Sequence, residues 1–230
     1  MDWLPDFAAA ALAAIFAITL HEAAHGYAAR ALGDDTAARL GRLSLNPLRH
    51  VDPVGTLLVP GLLLISQLLV SGRVDVMFGW AKPVPVDVER LRNPRFGMVL
   101  VAAAGPAINI ALAVLAAMLL HPLEGPGRDN LLDWLESFLV LSLIGNLVLA
   151  FFNLLPIPPL DGGRILGGLL PPPIGVPFLR LERFGLLIVL GLLFLLPMLV
   201  PGLDPLRYLV RALVLPAAQA ILNLTGHGGG

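Results

Sequence analysis

Two histidines four residues apart, with a glutamate beside the first, sit inside a long apolar run: Thr19-Leu20-His21-Glu22-Ala23-Ala24-His25-Gly26. No other feature constrains this chain as strongly. On an α-helix that spacing stacks His21 and His25 on one face, where their nitrogens can meet at a single metal ion. Glu22 lies next to the first ligand, so its carboxylate reaches a metal-bound water rather than the metal itself. Zinc suits two imidazoles plus a carboxylate, and it lowers the pKa of bound water to about 7. The competing explanation is a helix-surface cluster that binds nothing. Burying three ionisable groups in a membrane segment is costly without a purpose, so the metal site is preferred.

The apolar run is typical of the whole chain, which is 57% hydrophobic and 13% charged with a mean hydropathy of +0.84. A soluble domain of 230 residues has too little interior to hide that much apolar surface. The expected fold is therefore an all-α polytopic membrane protein with about five to six transmembrane or re-entrant helices. No soluble appendage of domain size fits, so residues 1–230 are expected to form a single integral-membrane domain. Its catalytic core would span about 7–170, with C-terminal helices over about 184–224. The absence of cysteine excludes disulfides, thiolate zinc sites and a cysteine nucleophile. A net charge of −1 argues against a nucleic-acid partner. Lys82 is the only lysine, and the wealth of Arg, Ala, Leu, Gly and Pro fits a GC-rich prokaryotic genome. The first apolar stretch lacks a basic leading region and carries the metal motif, so it is not expected to be a cleaved signal peptide.

Phe7 to about Leu32 reads as the first span. A polar stretch follows, with Arg39, Arg42, Arg49 and His50 among the turn signals Asn46-Pro47 and Asp52-Pro53. Val54–Val70 is apolar but short, with Pro60-Gly61 near its middle, and suits either a short crossing or a re-entrant hairpin. Between Ser71 and Arg95 the texture changes. Val74, Val76 and Phe78, then Val84, Val86 and Val88, alternate with other residues, which predicts two short membrane-associated strands. Pro83 and Pro85 demote the second to an edge. Phe96–Leu120, Leu135–Leu155 and Phe184–Val200 read as further spans, and Leu206–Leu224 as a helix that crosses or lies on the interface. Arginine-rich segments 30–53, 71–96 and 162–183 belong in the cytoplasm by the positive-inside rule, and the acidic 121–133 loop outside. His21 then lies past mid-membrane on the cytoplasmic side.

In that orientation four polar groups share one depth: His21, Asn109, Asn153 and Asp161. Asp161, in the break Pro156-Ile157-Pro158-Pro159-Leu160-Asp161-Gly162-Gly163, is the best third metal ligand. Its alternative role is a turn or capping aspartate. Asn153 suits a donor to an oxyanion, or an interhelical hydrogen bond. Asn109 favours hydrogen-bonded packing over catalysis, with Gly105 permitting close helix contact. His50, His121 and His227 read as solvated rather than ligating histidines.

Three motifs together carry a resemblance: His21-Glu22-x-x-His25, Gly105-Pro106-x-x-Asn109, and Asn153-x-x-Pro156-x-x-Pro159-Leu160-Asp161-Gly162-Gly163. In that order they resemble the site-2 protease family of intramembrane zinc metalloproteases, over roughly residues 7–170. The resemblance implies one Zn2+ per chain held by His21, His25 and Asp161, with Glu22 as general base and Asn153 as oxyanion stabiliser. It also implies a single-pass transmembrane substrate cut in or near the bilayer. The chain departs from better-known members in lacking a recognisable PDZ or CBS module and in its 34–70 segment. Two rivals come from other classes. A metal-ion transporter would use the intramembrane His, Glu and Asp for conduction, but should show several polar-lined helices. A catalytically silent homologue would only bind membrane segments, and the intact Glu22 argues against it. Substrate, regulator and oligomeric state are not encoded in any motif.

Overall fold

In a computed structural model, residues 4–72, 79–120, 130–200 and 202–227 are described. Among the described residues, five helices are long and apolar enough to cross a membrane: α1 (Leu4–Ala31), α3 (Pro94–Leu120), α4 (Asn130–Asn153), α6 (Pro172–Leu199) and α7 (Pro205–Gly226). Shorter helices include the apolar α2 (Pro53–Leu69) and the amphipathic α5 (Asp161–Leu169). The protein is thus an all-α, integral membrane protein.

α1, α3 and α4 form the central bundle, and small residues let them approach closely. Ala9, Ala13 and Ala17 recur every fourth residue on the buried face of α1, and Ala113, Ala116 and Ala117 line the buried face of α3. In a bilayer, where lipid is as apolar as leucine, helix association rests on such close contact rather than on a hydrophobic driving force. Leu139, Leu143 and Leu147 of α4 fill the space beside the α3 alanines. Leu209, Val214 and Ala218 of α7 join the same cluster, so the C-terminal helix packs onto the bundle. The large side chains Phe7, Leu12 and Ile15, away from the alanine face of α1, are exposed, as a lipid-facing surface requires.

The contacts fix helix direction. His21 meets Asn109 while His25 meets Val101, so α1 and α3 run antiparallel. Trp134 donates to the Pro5 carbonyl and Phe138 packs edge-on against Phe16, so α1 and α4 run parallel. These are the relative directions expected from charge.

Three features bear on the expectations. First, the segment 54–70, for which a short crossing and a re-entrant hairpin are both open from sequence, is helical throughout: a wide turn over Pro53–Leu58 runs directly into a helix over Val59–Ser71, with no turn at Pro60-Gly61. The chain nevertheless returns to its starting point. Trp80 N donates to Gly55 O (3.0 Å) and Lys82 N to His50 O (2.8 Å), so the two basic segments flanking α2 lie together. Second, no β-strand occurs among the described residues. Val74, Val76 and Phe78 lie outside them, as does His121. Val84 and Val86 belong to an extended strap over residues 79–87, and Val88 opens a helical turn, Val88–Arg90. The period-two pattern marked an extended backbone, but its donors go to loop carbonyls and to side chains instead of a ladder. Third, His50 is not a solvated loop histidine. It is 2% exposed, and its Nε2 donates to Ser44 O at 2.8 Å.

Candidate metal centre

The centre forms where α1 crosses α3 and the start of α5 closes on both. His21 and His25 project from one face of α1 with their rings edge to face, centroids 4.7 Å apart. Asp161 Oδ2 lies 3.1 Å from His21 Nε2 and 3.4 Å from His25 Nε2. Ligand atoms of His21, His25 and Asp161 all fall within 4.8 Å of one another, and no other such group of three occurs among the described residues.

Local backbone explains why these side chains can meet. A Cβ on Gly105 would sit 2.5 Å from His25 Nε2 and 2.6 Å from His21 Cε1, so only glycine lets α3 approach the rings. Pro106 follows, buried within α3; it has no N–H to give the Ala102 carbonyl and its ring crowds that carbonyl. In the same turn the Val101 carbonyl accepts a bond from His25 Nδ1 (2.7 Å). Asp161 is the first residue of α5, with Leu160 at the cap position and no capping bond from a side chain. Its carboxylate is therefore not a turn or cap device. Gly162 and Gly163 serve the turn instead, because side chains there would overlap the backbone of Leu154, Ile157 and Pro158.

A cation fits this donor set. His25 Nδ1 faces a carbonyl, which can only accept, so the proton of the neutral ring is on Nδ1 and Nε2 offers a lone pair. Asp161 Oδ2 is buried and has no hydrogen-bond partner. Lone pairs and a carboxylate converging without a proton between them match a divalent metal. Two imidazoles and one carboxylate with an open fourth position are the ligands of a catalytic zinc.

Glu22, one residue along the helix, is part-buried and turned to the strap: its Oε2 accepts from Val84 N at 3.0 Å. The strap thus crosses directly beside the cluster. Asn153 does not reach that far by any hydrogen bond seen here. It ends α4, and its amide donates to the Leu149 carbonyl one turn earlier (3.0 Å). Two other asparagines are connected to the cluster by hydrogen bonds. Asn109, fully buried, accepts from His21 Nδ1 at 2.6 Å, and its own amide donates to Asn146 Oδ1 at 2.7 Å. Asn146 was missed by the sequence reasoning. The available signal was a lone amide in the middle of an apolar span, seven residues before Asn153 on the same helix. His50 takes no part in the cluster.

Comparison with known proteins gives the same picture. The family pattern described as Peptidase family M50 matches residues 121–196, which contain Asn153 and Asp161. YwhC of Bacillus subtilis, named provisionally as a zinc metalloprotease, is 40% identical over 212 residues, covering 88% of this chain and 90% of that protein. Rip2 of Mycolicibacterium smegmatis, named likewise, is 31% identical over 181 residues, 78% of this chain and 64% of Rip2. Rip2 of Mycobacterium tuberculosis H37Rv is 31% identical over 187 residues, so the chain spans about two thirds of the Rip2 proteins (66% here). No solved structure matches significantly. With a full-length relative at this identity, and with the three motifs of the site-2 proteases in order, the chain belongs to peptidase family M50.

Proposed function

We propose that this zinc metalloprotease hydrolyses peptide bonds in or near the transmembrane segments of single-pass membrane proteins, as a step of regulated intramembrane proteolysis. The observation that carries the proposal is the buried His21–His25–Asp161 cluster with Glu22 beside it, at the centre of a bundle of apolar helices. His21, His25 and Asp161 would hold one Zn2+. Bound there, the metal would supply Lewis acidity and a more acidic water. Glu22 takes the proton from the attacking water and passes it to the leaving amine. An amide nitrogen carries two N–H groups; one of Asn153's goes to Leu149, and the other is assigned to the tetrahedral oxyanion.

A helical substrate hides its carbonyls in its own hydrogen bonds, so the scissile stretch must be extended. The strap beside Glu22 is the surface along which it lies. Helix-breaking residues near the cut should then speed cleavage, and equal rates for stiff Leu-rich substrates would refute this. The basic segments 30–53, 71–96 and 162–183 support a centre nearer the cytoplasmic face of a prokaryotic inner membrane. One experiment tests the function: purified protein with zinc, co-reconstituted with a single-pass peptide, against a chelated control. Cleavage only with zinc supports the protease. Zinc flux across the vesicle wall without cleavage would support the transporter instead.

A further inference from the structure

The polar contacts behind His21 form a chain with only one possible direction. Ser142 O and Ala17 O are backbone carbonyls and can only accept. Asn146 Nδ2 donates to Ser142 O (2.8 Å), which turns Asn146 Oδ1 toward Asn109. Asn109 Nδ2 donates both to that oxygen (2.7 Å) and to Ala17 O (3.2 Å). Both of its amide protons are thereby used, and the oxygen it presents to His21 Nδ1, at 2.6 Å, must accept. His21 is then held as the Nδ1–H tautomer with its Nε2 lone pair facing Asp161 and the metal position.

We propose that Asn109 and Asn146 are positioning residues for the metal centre, a relay anchored on two helix carbonyls that fixes the tautomer and ring plane of His21. Asn109 is wholly buried and Asn146 3% exposed, so no water competes for these bonds. The relay joins α1, α3 and α4, and His25 has a simpler counterpart in the Val101 carbonyl. Neither amide touches the reacting atoms. Their effect reaches the metal through His21, as partners of the second ring nitrogen do in metal sites generally, where removing one weakens metal binding about 10–100-fold. The inference rests on His21 being a zinc ligand.

The test is zinc competition against a chromophoric chelator, using full-length protein in detergent and the variants Asn109→Leu, Asn146→Leu, Asn146→Asp and His21→Ala. Asn109→Leu should weaken zinc binding by the upper part of that range and Asn146→Leu by the lower part. Asn146→Asp, neutral in this buried position, still donates to Ser142 O and offers an oxygen to Asn109, so it should stay near wild type while Asn146→Leu does not, a contrast that a purely space-filling role would not predict. Spectra of ¹⁵N-histidine-labelled protein give a second readout. His21 should show a single Nδ1–H ring in wild type and in Asn146→Asp, and mixed tautomers in Asn146→Leu. If His21→Ala loses zinc while both leucine variants keep wild-type affinity and a single tautomer, the relay is overturned and the ligand assignment stands. If His21→Ala keeps zinc, the ligand assignment itself fails and the relay with it.

Discussion

The metal cluster and the strap beside it are held by different means. His21 and His25 are placed by the helical repeat, and α3 is brought against them by the missing side chain of Gly105. The strap has no regular structure to place it. Its backbone is tied down one bond at a time: Trp80 to Gly55, Lys82 to His50, Val84 to Glu22 and Asp87 to Asp34. The first three donors recur at every second residue, so one edge of the strap is spent on the protein. Pro83 and Pro85, on the other edge, carry no N–H at all. A cluster fixed by close packing thus stands beside a strap fastened by separate bonds.

This difference predicts different responses to damage. The largest effect should come from Gly105→Ala, since the added carbon would sit 2.5 Å from His25 Nε2 with the α3 backbone behind it. Zinc by elemental analysis and peptide cleavage should both fall to background. Normal zinc in this variant would mean that the rings can move aside, contradicting the rigidity assigned to the crossing.

Damage to the strap should be milder and should spare the metal. Arg42, half-buried, donates through Nη2 to the carbonyls of Lys82 (3.0 Å) and Pro83 (3.3 Å), and these two bonds lie at the surface, so they are weakened by water. Arg42→Ala should raise KM for a co-reconstituted peptide by roughly 3–10-fold, the worth of about one hydrogen bond, with kcat and zinc content nearly unchanged. Loss of zinc in Arg42→Ala would erase the distinction between the two regions.

The smallest effect concerns Asp34, buried between the end of α1 and the strap. Burial alone would raise its pKa, but bonds from Thr36 and from the Asp87 N–H (2.7 Å), with Arg39 nearby, hold it below the usual aspartate value. A carboxylate with a depressed folded pKa stabilises the fold above its unfolded value of about 3.9, and that contribution fades as pH falls through the lower folded value. Thermal stability of wild type should therefore drop below about pH 4 more steeply than that of Asp34→Ala, which lacks this contribution at every pH. Parallel pH profiles for the two proteins would remove Asp34 from the account.

The same contrast explains what was legible in the sequence. His21, Glu22 and His25 could be read because helix geometry converts a spacing into a shared face. Asp161 could be read because a Gly- and Pro-rich break leaves few reasons for a carboxylate inside a membrane protein. The strap was half legible. Alternation announced an extended backbone, but pairing depends on a partner strand, and the partners were loop carbonyls and side chains far away in sequence. His50 was misjudged for a related reason: its burial comes from contacts with residues 44 and 82 that no local pattern encodes. Asn146 was overlooked beside the motif-bearing Asn153, although a buried amide in an apolar span is itself a signal of function.

Zinc content of purified Asp161→Ala set beside Glu22→Gln, with cleavage followed in the same samples, tests the assignment of the centre most directly. Glu22→Gln should keep near-stoichiometric zinc and lose about 10²–10⁴-fold in turnover, because only the proton acceptor is gone. Asp161→Ala leaves two imidazoles, too few protein ligands for a stable catalytic site, so its zinc should fall, and excess zinc should restore part of its activity. Equal zinc in Asp161→Ala and wild type would contradict the assignment and move the third ligand elsewhere.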